Sequence, residues 1–286
     1  MSTVNGGWEL PISEGELSRM TRDLDQAHRE YLPSMHAAAA ELSEQLRDSG
    51  ALTQAEQERQ RVASRRRFLI GAGGAAAALA LAACSSSKST KAAAAPGSST
   101  GGSSSMTPSS SMSSSTSSVY TGDLKVVALA TALENQAVGA YSAALAAAKS
   151  GKLGTVPPAV ATFATTAMSQ HTDHAKAWNA VLTGAKVPAI TDVPLSNQAA
   201  TLSALGAVTD VGGVAKLALQ LEDQAAQTYL FAAANVTSPG GIATAASIAP
   251  VEAMHAAILN FVLGRYPAPD DFLSTDMAAS PTLLTV

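Results

Sequence analysis

Apolar residues recur every three to four positions along four long stretches, about 122–150, 157–183, 210–235 and 241–264, and no stretch alternates apolar and polar residues as a half-buried strand would. The pattern predicts an all-α fold with four helices. Breaks fall at Gly151 to Pro158, across 184–209, and at Ser238-Pro239-Gly240-Gly241, where Gly and Pro interrupt helical backbone. The two outer connections are short, as antiparallel neighbours need, while the middle one reads as a long crossover loop. Pro250 falls inside the fourth stretch, which predicts a kink or a later helix start. Residues 267–286 read as a tail with a mildly apolar end. Toward the N-terminus, 13–61 is charged, with helical spacing around Leu17, Met20, Leu24, Ala27 and Tyr31, then Leu42 and Leu46. Two short amphipathic helices broken near Pro33 are expected there.

A phrase recurs within the four stretches. Leu133-Glu134-Asn135-Gln136-Ala137 with Tyr141 returns as Leu221-Glu222-Asp223-Gln224-Ala225 with Tyr229. Each copy is followed by a helical run bearing histidine: His171 and His174 after the first, Glu252-x-x-His255 after the second. Helical-wheel positions put Glu222 opposite Lys216, Gln220 and Asp223, and put His171 and His174 opposite Thr172, Lys176 and Asn179, so all three point inward. Glu252 and His255 interrupt a stretch that is otherwise apolar nearly all round, whereas Glu134 lies closer to the polar side and partial exposure is expected of it. A buried carboxylate is costly unless it is paired or metal-bound. Three glutamates and up to three histidines converging in one small bundle are most simply satisfied by divalent cations. Tyr141 and Tyr229 are expected to pack in the core, with each hydroxyl reaching a carboxylate.

Composition changes this picture in two places. The chain of 286 residues is 47% hydrophobic, but aromatics make up only 4% and alanine dominates, so the core must be closely spaced small-residue helices. A net charge of −4 offers no basic surface for nucleic acid. No Gly-rich phosphate loop, nucleophile elbow or paired-cysteine zinc pattern is present.

The single cysteine, Cys84, ends Leu81-Ala82-Ala83-Cys84, the form of a lipobox whose cysteine sulfur receives a diacylglycerol. Upstream, Ser64-Arg65-Arg66-Arg67-Phe68-Leu69-Ile70 resembles a twin-arginine export signal, with Arg65 and Arg66 as the pair and Ile70 where Lys is usual. The apolar run from Phe68 to Ala83 is short for a bilayer span of about 20 residues, although a plain transmembrane anchor is the alternative. The expected organisation is a charged helical cytoplasmic leader over 1–63, a signal and lipobox over 64–84, a Ser/Gly/Ala-rich disordered tether over 85–119, a helical bundle over 120–266 and the tail over 267–286. On that organisation residues 1–83 are removed, and His28 and His36 lie outside any mature site. A start at Met20 or Met35 is an alternative account of the long leader.

The repeated Glu phrase, Glu252-x-x-His255 and His174 together resemble the ferritin-like superfamily, and within it the twin-arginine-exported bacterial ferritin-like proteins, including the desiccation-related kind and an actinobacterial family of unknown function. The resemblance covers about 120–265 and implies a ferritin-like four-helix bundle with the long crossover between its second and third helices. It implies a metal site of Glu134, His171, His174, Glu222, Glu252 and His255, with iron or another divalent transition metal as cofactor. Oxidation of ferrous iron or consumption of peroxide is the chemistry it suggests. His171 stands where the superfamily has a second bridging glutamate, which shifts preference toward a softer or single metal or toward a lost site. The implied setting is extracytoplasmic and lipid-anchored to the cell membrane, reached through the twin-arginine machinery. The alternative is a non-enzymatic structural or interaction lipoprotein with a degenerate site, in which the small residues of 143–148 would serve packing or pairing with a second copy.

Overall fold

The computed structural model describes residues 8–49, 118–269 and 273–286. Arg65, Arg66, Cys84 and most of the tether lie outside the described residues. Among the described residues six α-helices follow in order: α1 Glu14–Ser49, α2 Asp123–Lys149, α3 Pro158–Gly184, α4 Gln198–Ala207, α5 Val211–Asn235 and α6 Pro239–Val262. α2 packs against α3 and α5 against α6, each pair joined by a short turn, while the connection from α3 to α5 is long. The sequence reads that connection as a loop, yet it contains α4, a ten-residue helix with no buried residue.

Local chemistry sets the helix boundaries. α2 is rich in alanine, the strongest helix former, and ends where Gly151 adopts a positive φ of 77° and Lys152 N–H donates to the Ala147 carbonyl. α5 starts at Asp210, whose side chain accepts from Gly213 N–H at 2.7 Å. Asp123 at the head of α2 accepts from the backbone N–H and hydroxyl of both Thr237 and Ser238, tying α2 to the α5–α6 turn. The tail returns onto the bundle, as Ala279 is buried and its N–H donates to the Thr228 hydroxyl.

α1 differs from expectation. It is a single helix of 36 residues that runs through Pro33, and it packs along α3 and α6. Pro33 and Arg29, whose carbonyl loses its helical partner, both face solvent, so water can satisfy that carbonyl. The same reason explains why Pro250 leaves α6 unbroken: Pro250 and Ala246 are exposed. The start of α1 is a capping box in which Glu16 N–H donates to the Ser13 hydroxyl and Ser13 N–H to the Glu16 carboxylate.

The buried stripe of α1 is Leu17, Thr21, Leu24, His28, Met35, Ala39 and Leu42. Each fully buried leucine contributes on the order of 1.5–3 kcal/mol. α1 also completes two neighbours, because neither α3 nor α6 has a side-chain cap of its own. Ala159 N–H at the start of α3 donates to the Glu14 carboxylate at 3.1 Å, and Gly240 N–H at the start of α6 donates to the Gln45 side-chain carbonyl at 3.2 Å. Gly240 lets the two backbones touch, since a Cβ there would lie 2.4 Å from Leu42 N. α6 is long and apolar enough to cross a membrane by length and composition. Most of its apolar surface is nonetheless buried in the bundle, together with Glu252 and His255.

Candidate metal centre

One buried cluster holds all six residues singled out in the sequence. Glu134 projects from α2, His171 and His174 from α3, Glu222 from α5, and Glu252 and His255 from α6, each at most 2% exposed. Glu134 is therefore buried and not at the edge. Two of the residues that mark its side of α2 as polar are covered too: Thr131 is buried with its hydroxyl donating to Val127 O, and Asn135 donates to the crossover carbonyls of Ile190 and Asp192.

The cluster divides into two overlapping groups whose ligand-type atoms lie within 4.8 Å of one another: Glu134, His171, His174 and Glu252, and His171, Glu222, Glu252 and His255. His171 and Glu252 belong to both. His171 spans the middle, with Nδ1 2.8 Å from Glu134 Oε2 and Nε2 3.1 Å from Glu222 Oε1. The two Glu252 oxygens face opposite ways, Oε1 lying 2.9 Å from His174 Nδ1 and Oε2 3.2 Å from His255 Nδ1.

Hydroxyls from the opposite repeat support the carboxylates. Tyr141 of the first repeat donates to Glu222 Oε1 at 2.5 Å, and Tyr229 of the second donates to Glu134 Oε1 while accepting from Trp178 Nε1 at 2.9 Å. Both phenols are held well above their ordinary pKa by burial and by the carboxylates they face, so they remain donors.

Charge in the cluster is strongly coupled. Burial opposes the ionised form of Glu134, but His174 and His171 outweigh it and bring its pKa to about 2. Burial likewise opposes charge on Glu222, and His171 and His255 hold it well below the usual carboxylate range. Against the same burial, Glu134 and Glu252 raise His174 to about 9, and Glu252 and Glu222 hold His171 well above its ordinary value.

Two positions escape the sequence reading. Gln170 Oε1 lies 2.8 Å from His255 Nε2, so it accepts that N–H and leaves Nδ1 facing the carboxylates. His28 of α1, expected to lie outside the site, is buried with its Nε2 3.3 Å from His174 Nε2; His36 is exposed. The available signal is spacing, because His28 continues the stripe of Leu17, Thr21 and Leu24 and precedes Met35 and Leu42 by seven and fourteen positions. Burial and the neighbouring His174 lower the His28 pKa to about 4, which keeps its ring neutral.

The residues present fit a metal. His174 Nδ1 and Glu252 Oε1 are fully buried and 2.9 Å apart, yet they are not aligned as a hydrogen bond, an arrangement that leaves ligand atoms aimed at common space. Mixed imidazole and carboxylate donors suit first-row transition metals. Beside Glu134 and His171, between α2 and α5, lies a cavity of about 20 Å³ lined also by Leu133, Gln136, Leu221 and Gln224, room for a water-sized molecule.

No curated protein and no solved structure matches the chain. A family model described as a ferritin-like domain matches residues 122–265, the span that contains α2 to α6 and every residue of the cluster except His28. On that match, and with a buried Glu/His cluster resembling a di-metal site, the chain belongs to the ferritin-like domain family.

Proposed function

We propose that the bundle binds transition-metal ions, iron foremost, at two adjoining positions that share His171 and Glu252. The observation that carries this reading is the pair of overlapping buried Glu/His groups whose ligand-type atoms converge within 4.8 Å and which share His171 and Glu252. Glu134 and His174 would hold an ion on one side, and Glu222 and His255 on the other. When bound, the metal would supply the oxidation of ferrous iron or the consumption of peroxide suggested by the family resemblance. The chain supplies the rest. Tyr141 and Tyr229 orient the carboxylates, Gln170 orients His255, and the surrounding apolar side chains exclude bulk water while the small cavity beside Glu134 admits a molecule of water's size.

The setting proposed with this activity is the outer face of the cell membrane, reached through the twin-arginine machinery and held by a lipid on Cys84. The mass of the N-terminal peptide recovered from membranes tests that placement.

A second reading has its own observation. His171 reaches Glu134 with one ring nitrogen and Glu222 with the other, so a single imidazolium could satisfy both carboxylates without metal, as in a structural or interaction lipoprotein. A ligand bound by the native state alone raises the thermal midpoint. Protein from metal-replete medium is expected to carry stoichiometric metal and to lose thermal stability in chelator. Absence of metal together with an unchanged midpoint would establish the second reading.

A further inference from the structure

The N-terminal helix lies outside the span matched to the family, yet its stripe is buried on α3 and α6, it caps both of those helices, and Gly240 admits its backbone at close range. These contacts fix α1 at both ends. Glu14 bonds near its start and Gln45 near its end, so His28, roughly midway, is held in register with the centre. A further close approach comes from Ser43, whose hydroxyl would lie 1.8 Å from a Cβ at Gly184. Gly184 and Gly240 of the matched domain thus accommodate this helix in particular.

The consequence falls on His174. Its Nδ1 faces Glu252 at 2.9 Å and Glu134 at 3.6 Å, and its Nε2 faces His28 Nε2 at 3.3 Å. Two ring nitrogens at that distance share one proton, one donating and the other accepting. For His174 to present a lone pair to a metal at Nδ1, its proton must sit on Nε2, and the group placed to accept it is His28. The corresponding histidine of the other half is fixed in the same way, with His255 Nε2 held by Gln170 Oε1 at 2.8 Å. The difference is that Gln170 belongs to the bundle, whereas His28 arrives on α1.

We propose that α1 is a working part of the metal centre, in which His28 is a positioning residue that accepts the Nε2–H of His174 and keeps Nδ1 directed at the carboxylates. The metal consequence rests on the reading of the centre given above, while the contact between the rings does not. Cutting the chain ahead of Cys84, as the lipobox pattern implies, would leave His28 on a separate piece. The uncut chain is then the form in which His174 is held for metal loading.

The test uses the full-length chain and cobalt(II) as probe. Outer partners of metal-bound histidines affect affinity by roughly ten- to a hundredfold, so His28→Ala should weaken cobalt binding by about that factor and alter the visible absorption of the bound ion. His28→Gln should restore both, because its side-chain carbonyl can accept as Gln170 does. Leu24→Ala, one turn away on the same buried stripe, loosens α1 while keeping the His28 ring and should leave cobalt affinity nearly unchanged. Cobalt binding by His28→Ala equal to wild type, no rescue by Gln, or an equal loss in Leu24→Ala would overturn the proposal. A metal-independent arm separates failure of this inference from failure of the metal reading. In the metal-free chain with ¹⁵N-labelled histidine, a through-hydrogen-bond ¹⁵N–¹⁵N coupling should connect the rings of His28 and His174. Its absence would overturn the ring contact whether or not cobalt binds.

Discussion

The α2–α3 half and the α5–α6 half place the same side chains in the same roles, with one exchange. Glu134 corresponds to Glu222, Tyr141 to Tyr229 and His174 to His255, and each tyrosine serves the carboxylate of the opposite half. Where α6 presents Glu252, α3 presents His171. The carboxylate of Glu252 reaches both outer histidines through its two oxygens, and the imidazole of His171 reaches both outer glutamates through its two nitrogens. The shared elements of the centre are therefore one anion and one group that carries a proton when no metal is present. A shared carboxylate in place of His171 would bring like charges together in a dry interior, at a cost that only cations could offset. With His171 there, the metal-free bundle has an internal counter-charge.

Replacing the shared anion should break both groups, and replacing an outer glutamate only one. Glu252→Gln is expected to reduce bound metal to below about a tenth of wild type, whereas Glu134→Gln and Glu222→Gln should each retain roughly half, as expected when one of two carboxylate–imidazole sites is spoiled. Elemental analysis of the three variants after identical metal loading measures this. Equal metal content in all three would show that the two groups are not the units of binding.

The coupling between halves also fixes how stability depends on pH. Glu134 titrates at about 2 when folded against 4.5 ordinarily, so its contribution is complete above 4.5 and is lost as pH falls from there toward 2. His174 titrates at about 9 against 6.5, so its contribution is complete below 6.5 and is lost as pH rises toward 9. His28, held at about 4 against 6.5, works the other way and costs stability as pH falls below 6.5. The metal-free chain should therefore be most stable toward the upper end of the window between pH 4.5 and 6.5. Metal binds deprotonated imidazole, so added metal should raise the thermal midpoint most near pH 9 and least near pH 5. Midpoints measured across pH with and without metal test the sign, and a metal effect larger on the acid side would contradict the assignment of His174 as ligand.

Much of the bundle is legible because alanine-rich periodicity and Gly/Pro breaks are local signals. The convergence of Glu222, Glu252, His171, His174 and His255 follows from helical phase and from the repeat. Glu134 shows where phase misleads: Thr131 and Asn135 look like a wet face but serve a helix carbonyl and the crossover, contacts that depend on where a distant segment lies. α1 shows the complementary difficulty. Its charged composition and Pro33 suggest a separate leader, and its role appears only once its stripe, including a histidine, meets the groove between α3 and α6. α4 is invisible for a third reason, since a helix that buries nothing carries no apolar stripe.

The smallest difference between the halves lies in the tyrosines. Glu222 Oε1 is approached by both Tyr141 and His171, so Tyr141→Phe leaves that oxygen with an imidazole partner. Glu134 Oε1 receives the Tyr229 hydroxyl, and His174 Nδ1 stands 3.6 Å from it, beyond a useful hydrogen bond. Tyr229→Phe also strands the indole N–H of Trp178, which donates to that hydroxyl. A lost bond to a charged group costs on the order of 1.5–3 kcal/mol, and an additional buried donor left unpaired costs a further 1–3 kcal/mol, roughly. Tyr229→Phe should therefore lower the metal-free midpoint more than Tyr141→Phe, by several degrees at about 2–4 °C per kcal/mol for a domain of this size. Adding Trp178→Phe should recover part of the loss in the Tyr229 variant and none in the Tyr141 variant, because only the first leaves an indole donor without its acceptor. Equal midpoints for the two single variants would mean that the halves support their carboxylates alike, and that the Trp178 bond does not distinguish them.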